Sequence, residues 1–188
     1  YGAEVSLTPE LDTLAGQGLV AQRFYAAGIQ TVHSEMATLC GTWPALGSSA
    51  LYKRVPEVDL TCFPELLGHF GWATHWFSGY KAEYANKERF LKAHGFTGIH
   101  GIESHGQSDD ALLGWGVADT EMASRIVDQL DDAAEPFLAV WITLSNHHPW
   151  AWDYPIAFPD HLSEPAEGDT YGAYERAVYY TDHAIGRF

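Results

Sequence analysis

Cysteine is scarce in this sequence, and long hydrophobic runs are missing. The two cysteines among 188 residues, Cys40 and Cys62, exclude a disulfide-dense miniprotein and a zinc site built from four cysteines. One disulfide between them and two free buried thiols are both compatible with the sequence. No run of about 18 apolar residues occurs, so the sequence predicts neither a membrane span nor a signal peptide.

Positive charge is also scarce. Lys and Arg together number 10 against 25 Asp and Glu, which gives a formal net charge of −15. Nucleic acids and anionic lipid surfaces are bound by basic surfaces, so the composition disfavours both as general partners. A small anionic substrate stays compatible with this charge, because a metal ion or a few local cations reverse the sign of the potential within one cleft.

Material for a core is abundant, since 46% of the residues are hydrophobic and 14% are aromatic. The length fits one domain or most of a larger one, and we assign residues 1–188 to one partial domain. The first residue is Tyr1, and the last residues lie inside a predicted helix. We therefore expect an excerpt of a longer protein, in which a membrane anchor outside this excerpt is compatible with the sequence.

Helical and extended patterns alternate along the chain. Thr8 and Pro9 are typical of a capped helix start, and the apolar spacing predicts further helices within residues 28–39, 63–70, 86–94, 119–130 and 170–188. Strands are predicted over residues 18–25, 72–77, 96–100 and 136–144. This alternation indicates an α/β sheet. The continuous apolar run in residues 136–144 predicts the central strand, covered on both faces.

The first of two loops with reactive side chains leads into a helix with Thr31 and Ser34 near its start. Parallel α/β sheets bind ligands at the carboxyl ends of their strands, where such loops lie. A hydroxyl at a helix start is close to unpaired backbone N–H groups and the positive end of the helix dipole, which favours an alkoxide or a bound anion. On these residues alone, the favoured alternative is that either hydroxyl only caps the helix.

The second loop contains Asn146, His147 and His148, directly after the strand predicted over residues 136–144. Imidazole and amide groups at this position are suited to bind a metal or an anionic substrate. A solvated polar loop with structural histidines is an equally weighted alternative. No His-Glu-x-x-His pair occurs among the scattered histidines, so we do not predict a dedicated zinc cluster.

Seven segments occur in an informative order. They are residues 8–15, 24–26, 31–35 (Thr-Val-His-Ser-Glu), 114–119 (Gly-Trp-Gly-Val-Ala-Asp), 136–139, 143–150 (Thr-Leu-Ser-Asn-His-His-Pro-Trp) and 179–186. Together they resemble the sulfatase and lipoteichoic-acid-synthase family of the alkaline phosphatase superfamily, and the resemblance covers nearly the whole chain. It implies a three-layer α/β sandwich with a mostly parallel central sheet and helices on both faces, incomplete at both termini.

The resemblance also implies a role for each loop. The position of the family's cysteine-type nucleophile falls on Thr31, as in the branch that contains phosphoglycerol and phosphoethanolamine transferases. Thr31 is thereby implied to be the nucleophile and one ligand of a divalent metal (Mn, Mg, Ca or Zn), whose other ligands lie outside these residues. His147, His148 and Asn146 are implied to bind the substrate. Cys40 lacks the Pro and Arg spacing of a sulfatase nucleophile.

One segment departs from the family pattern. Where lipoteichoic-acid synthases have His, Trp and Arg that reach the substrate phosphate, this sequence has Ser78, Ala85 and Lys87. Only Lys87 keeps a positive charge, which makes it the substrate-binding candidate of this segment. Because of this departure, the resemblance does not extend to a glycerol-phosphate substrate.

The sequence thus predicts part of a metal-dependent transferase or hydrolase of phosphate or sulfate esters. Its substrate would be a small anionic or lipid-headgroup ester, handled through a covalent intermediate on Thr31. The resemblance implies an extracytoplasmic location and a membrane-anchored parent protein. The alternative is a non-catalytic excerpt with an incomplete metal site and only a structural or binding role.

Overall fold

Helices and short strands alternate along the described residues, which in this computed structural model are 5–44, 51–104 and 111–188. The α-helices are α1 (Pro9–Ala15), α2 (Thr31–Cys40), α3 (Leu51–Arg54), α4 (Phe63–His69), α5 (Lys87–Ala93), α6 (Asp119–Asp131) and α7 (Thr170–Arg187). The strands are β1 (Ala73–Ser78), β2 (Gly98–His100), β3 (Leu112–Leu113), β4 (Gly116–Val117) and β5 (Phe137–Ile142). Short 3-10 helices span Tyr84–Asn86 and Ile102–Ser104. All six predicted helical regions therefore contain a helix.

The main sheet has three parallel strands, with β1 in the middle, β2 on one side and β5 on the other. Trp76 of β1 is in register with Ile99 of β2 and with Val140 of β5. The parallel sheet confirms the predicted α/β class. The prediction that residues 136–144 form the central strand was wrong for the described sheet, where β5 is an edge strand. Its apolar run reflects cover on both faces, since its side chains are all half-buried.

Helices cover both faces of this sheet, as the three-layer prediction requires. Successive side chains of β1 point to opposite faces. Trp76 packs in one core with Met36 of α2 and Phe90 of α5. Phe77 packs in a second core with Ile126 of α6. Each fully buried side chain of this size contributes about 1.5–3 kcal/mol relative to an exposed one, so the two cores hold the layers together.

α7 packs against α6, and α1 packs against α7. The predicted cap of α1 is different in the structure, because the Thr8 side chain makes no capping hydrogen bond. The buried carboxylate of Asp182 accepts hydrogen bonds from the backbone N–H groups of Glu10 and Leu11 instead, at 2.9 Å each. A carboxylate is a stronger acceptor than a hydroxyl, and this one binds the first turn of α1 to α7.

The predicted strand over residues 18–25 is absent. This segment has no regular secondary structure, and its apolar side chains lie in solvent, with Leu19 103% and Phe24 73% exposed. A strand needs a neighbour for its backbone N–H and C=O groups, and no described strand pairs with this segment. Alternating apolar residues were therefore not sufficient to predict a strand here.

Cys40 and Cys62 form a disulfide that joins the end of α2 to the residue before α4. This result decides between the two alternatives that the sequence left open. Cys62 is fully buried beside the core that contains α2 and α5. Of the helices in residues 5–44, 51–104 and 111–188, none is both long and apolar enough to cross a membrane.

Candidate active site

Thr31 is the first residue of α2, and it is exposed to solvent. Gln30 precedes it in an extended conformation, and its side chain makes no capping hydrogen bond. The first turn of a helix carries backbone N–H groups without intrahelical partners and the positive end of the helix dipole. The structure thus places the Thr31 hydroxyl where it is accessible and where a negative charge is stabilised.

Glu35 lies one turn after Thr31 and is buried, with 5% of its surface exposed. Its carboxylate accepts hydrogen bonds from the Tyr52 hydroxyl at 2.9 Å and from Trp76 Nε1 at 3.3 Å. Lys87 Nζ lies 2.9 Å from the same carboxylate. Burial, followed by the charge of Glu35, raises the pKa of Tyr52 far above its ordinary value. This network fixes the start of α2 against β1 and the segment after it.

Sequence reasoning did not identify Glu35 as a site residue. The signal was available, because its helical neighbours Val32, Met36 and Leu39 all belong to the core. A single acid on the apolar face of a helix needs a buried partner, since an unpaired buried carboxylate is costly. The partner, Lys87, is distant in sequence and follows from the tertiary structure alone.

Lys87 is buried, with its ammonium group in the ion pair with Glu35 and 5.1 Å from the centre of the Trp76 ring. Its charge is therefore already compensated within the protein. Ser78, in the same segment, is buried, and its hydroxyl accepts a hydrogen bond from the N–H of Tyr80. That Lys87 binds the substrate stays a prediction. The ion pair places its charge beside Glu35, the residue one helical turn after Thr31.

The loop after β5 carries Asn146, His147 and His148. His147 is exposed, and its Nδ1 donates a hydrogen bond to the His148 carbonyl at 2.9 Å. His148 is also exposed, with its ring edge-on to Trp150 at 5.1 Å between centroids. The Asn146 carbonyl accepts a hydrogen bond from Trp150 Nε1. The Asn146 side-chain oxygen is buried and has no hydrogen-bond partner, so it is an acceptor available to a ligand or water.

The tip of the β3–β4 hairpin reaches this loop. The Trp115 ring contacts the His147 ring in a tilted arrangement, with 3.9 Å between ring centroids and 35° between the ring planes. Gly116 allows the hairpin to approach β1, because a Cβ there would lie 2.1 Å from the Gly79 carbonyl oxygen. Sequence reasoning used Gly-Trp-Gly only as a family motif and missed the contact between Trp115 and His147. The paired glycines around an aromatic residue were the available signal for a tight turn.

Asp119, the first residue of α6, is fully buried below the same loop. Its carboxylate accepts hydrogen bonds from the N–H groups of Leu144 and Ser145 at 2.8 and 2.9 Å. Its own N–H donates to the Ser145 hydroxyl at 2.9 Å. Burial raises the pKa of Asp119 to about 6, although the hydrogen bonds from Leu144 and Ser145 lower it. An acid at a helix start is usually a surface feature, so sequence alone gave no sign of this contact.

An open cavity of about 520 Å³ is lined by Pro149, the residue after His148, but not by Asn146, His147 or His148. Trp150, Trp152 and Arg176 are among its lining residues. The Arg176 guanidinium pairs with Glu164 and lies 4.0 Å from the centre of the Phe158 ring, while its Nε is buried and unpartnered. The loop with His148 thus borders a volume that a small substrate could enter.

The structure brings the predicted site residues together in two groups. Asn146, His147 and His148 share one loop after β5, and Lys87 is joined to the helix of Thr31 through Glu35. The loop with His147 follows the parallel strand β5, whereas the segment before Thr31 follows no described strand. That Thr31 and His147 face one cleft stays a prediction.

The described residues lack a cluster of metal ligands. Within residues 5–44, 51–104 and 111–188, no three His, Cys, Asp or Glu side chains are grouped so that they could hold one. Thr31 alone supplies the oxygen that the sequence analysis assigned to a metal. A complete metal centre therefore does not fit the described part of this chain without further ligands.

A family model described as Sulfatase matches residues 1–188 of the chain. The chain belongs to the sulfatase family. This membership confirms the resemblance drawn from the seven sequence segments.

Among curated sulfatase-family relatives, phosphoglycerol transferase I of Xanthomonas campestris pv. campestris is 29% identical over 171 residues. That match covers 84% of this chain and 23% of the relative. The chain thus spans about a quarter of the length of the curated relatives it matches.

Two solved structures show the fold that the chain shares. The lipoteichoic acid synthase LtaP from Listeria monocytogenes has a TM-score of 0.80 at 23% identity, over 96% of this chain and 45% of that one. The phosphoglycerol transferase GacH from Streptococcus pyogenes, solved with sn-glycerol-1-phosphate, has a TM-score of 0.66 at 19% identity. It is matched over 96% of this chain and 49% of that one. These similarities confirm the α/β architecture.

Proposed function

We propose that this chain is part of the catalytic domain of a transferase or hydrolase of phosphate esters that uses Thr31 as its nucleophile. The observation that carries the proposal is the position of Thr31, an exposed hydroxyl at the first residue of α2. The similarity to phosphoglycerol transferase I over most of the chain supports phosphate rather than sulfate as the transferred group.

In the proposed reaction, Thr31 Oγ1 attacks the phosphorus atom of the ester. The bond from phosphorus to the leaving oxygen breaks, a threonyl phosphoester forms, and the departing oxygen leaves as an alcohol that takes up a proton in place of the one lost by Thr31. Water or an acceptor hydroxyl then attacks the same phosphorus atom and releases Thr31. The positive end of α2 stabilises the negative charge that develops near Thr31.

His147 would bind the anionic oxygens of the substrate. Because its Nδ1 donates to the His148 carbonyl, its Nε2 is the nitrogen left to face a ligand. In the imidazolium form, Nε2 carries a hydrogen and can donate to a phosphate oxygen or to the leaving oxygen. His148 and Asn146, in the same loop, are the further candidates for substrate contact. Lys87 would contribute by holding α2 in place, since its ammonium group already pairs with Glu35.

The proposal includes a divalent metal, which would be bound by a longer protein that contains this chain. Thr31 would be one ligand, and the others would come from residues outside this chain. No step above is assigned to a metal, because the described residues do not form a complete site. Metal content of the full-length protein, measured by elemental analysis, tests this part.

The proposed substrate is a small phosphodiester or a lipid headgroup. GacH, which shares the fold, binds sn-glycerol-1-phosphate, and phosphoglycerol transferase I is named for a related group. The net charge of −15 argues against nucleic acid as a partner. The Cys40–Cys62 disulfide supports an extracytoplasmic location, because disulfides persist in oxidising compartments. An anchor to the membrane would lie outside this chain.

The decisive experiment is Thr31→Ala in the full-length protein, assayed with bis(p-nitrophenyl) phosphate. Turnover should fall at least about 1,000-fold, because the only attacking oxygen is removed. The free energy of unfolding should change by less than about 1 kcal/mol, since Thr31 is exposed.

The matched control is Ser34→Ala, which removes a hydroxyl from the same helix and should change turnover by less than about 3-fold. Substantial activity in Thr31→Ala, together with a loss in Ser34→Ala, would show that the nucleophile is assigned to the wrong hydroxyl.

A non-catalytic role is the second candidate. The lack of a metal-binding group among the described residues favours it for this chain taken alone. A full-length protein that holds no stoichiometric divalent metal and hydrolyses no phosphodiester would support a structural or binding role. Turnover that depends on Thr31 would exclude it.

A further inference from the structure

We propose that Asp119 is a positioning residue for His147, because its buried carboxylate fixes the turn from which His147 extends. The contacts of this turn are independent of any assigned reaction. Only the consequence for catalysis rests on the proposed function of His147.

The turn itself is short and closed. The N–H of His147 donates to the Leu144 carbonyl at 3.0 Å, which makes Leu144 the first residue of a turn that ends at His147. Asp119 accepts from the N–H groups of the first two residues of this turn, Leu144 and Ser145. The position of the His147 backbone therefore follows directly from the position of the Asp119 carboxylate.

The contact between Asp119 and Ser145 is reciprocal, and this second hydrogen bond restricts the turn further. The N–H of Asp119 donates to the hydroxyl of Ser145, and the carbonyl of Ser145 accepts from the Tyr154 hydroxyl at 3.3 Å. Asp119 is 0% and Ser145 2% exposed, so water does not compete for these bonds. Both oxygens of Asp119 are bound by backbone groups, which leaves the carboxylate little freedom to move.

The side chain of His147 is held from the same segment. Trp115 lies four residues before Asp119, and its ring contacts the His147 ring at 3.9 Å between centroids with a tilt of 35°. One short stretch, residues 115–119, thus contacts both the backbone of the turn and the imidazole at its end. A shift of Asp119 would therefore change the position of the turn backbone relative to the Trp115 ring that contacts His147.

A simpler interpretation is that Asp119 only stabilises α6. The two interpretations differ in where a variant loosens the protein. Loss of a purely structural group lowers the folded fraction and exposes all elements together. Loss of a positioning group loosens residues 144–148 and leaves β1 and α7 protected.

The test is Asp119→Asn in the intact protein, followed by hydrogen–deuterium exchange with mass spectrometry. Asn keeps the size of the side chain but replaces one accepting oxygen with an NH₂ group, which cannot accept from a backbone N–H. Amides of residues 144–148 should exchange about tenfold faster, while those of β1 and α7 are unchanged. Asp128→Asn, an exposed acid on the same helix, is the matched control and should change neither.

Ser145→Ala gives a second measurement that does not depend on how well Asp119→Asn folds. It keeps the carboxylate but removes the reciprocal bond to the Asp119 N–H. Exchange in residues 144–148 should rise about threefold. Unchanged exchange there in both variants, or an equal rise in every element, would overturn the positioning role.

Steady-state kinetics adds a readout that a structural role would not move. A smaller folded fraction lowers the apparent kcat and leaves KM unchanged. A misplaced His147 should raise KM for bis(p-nitrophenyl) phosphate about tenfold as well as lowering kcat. If the wild-type protein has no turnover but Asp119→Asn still loosens residues 144–148, the contact of Asp119 with the loop is supported and the proposed function is overturned. A failure of the positioning role is therefore distinguishable from a failure of the proposed function.

Discussion

The two loops assigned to the site are held by the protein in different ways. Residues 16–30, which lead to Thr31, are almost entirely exposed. α2 is held after Thr31, by the core residue Val32 and by the ion pair of Glu35. The turn that leads to His147 is fixed at its first residues by Asp119 and at its end by Trp115. The exposed reactive groups thus depend on buried polar groups nearby, which set their positions before a substrate arrives.

The largest expected effect comes from breaking the buried ion pair that holds α2. Lys87→Met should lower the free energy of unfolding by about 3–5 kcal/mol, because Glu35 would remain buried without its cation. The exposed fractions of the two side chains, 11% for Lys87 and 4% for Glu35, make water a poor substitute. Urea unfolding curves measure this loss.

The matched control is Lys92→Met, which breaks the exposed pair with Glu88 and should cost about 0.5 kcal/mol or less. The double variant Lys87→Met/Glu35→Gln should recover part of the lost stability. Equal losses for Lys87→Met and Lys92→Met would mean that the Glu35 ion pair does not anchor α2.

The second prediction concerns the pH dependence of the loop after β5. Burial raises the pKa of Asp119 from 3.8 to about 6, so the folded state binds this proton more tightly than the unfolded state. The contribution of Asp119 to stability should therefore increase as the pH falls from 7 to 4, by at most about 3 kcal/mol. This sign is opposite to that of an ion-paired carboxylate.

The measurement is the free energy of unfolding of the wild type minus that of Asp119→Asn, at several pH values. This difference should rise toward pH 4, whereas the same difference for Asp128→Asn should stay flat. A difference that falls toward acid would show that Asp119 is stabilised in its ionised form, in contrast to our account of its burial.

The smallest expected effect tests the exposed segment before Thr31. Leu19→Ala should change the free energy of unfolding by less than about 0.5 kcal/mol, because Leu19 lies entirely in solvent. Leu91→Ala makes the same substitution in the core beside α2, where 1% of the residue is exposed, and should cost about 2–5 kcal/mol. A cost above about 1 kcal/mol for Leu19→Ala would mean that this segment packs against the protein in solution.

Local patterns predicted the helices better than the strands. The amphipathic spacing of residues 119–130 and the apolar spacing of residues 63–70 each correspond to a helix. The segment 18–25 has a strand-like composition but no strand, and β5 has a central-strand composition at an edge. A helix satisfies its backbone within itself, whereas a strand depends on neighbours that sequence does not identify.

At the candidate site, the sequence predicted the exposed reactive side chains but not the buried groups that hold them in place. Thr31, Asn146, His147 and His148 stand in recognisable motifs after predicted strands. Glu35, Trp115 and Asp119, which hold them, were quoted only as parts of motifs. Their partners lie 26 residues away for Asp119 and Ser145 and 52 residues away for Glu35 and Lys87.

The sequence by itself determined the α/β class, the family and the chemical types of the exposed candidates, because these follow from periodicity, composition and motif order. Only the tertiary structure decided which strand is central, that Cys40 pairs with Cys62, and that the charge of Lys87 is compensated by Glu35. The physical reason is burial. A charge or thiol acquires its role from what excludes water around it, and that surrounding is assembled from residues far apart in the chain.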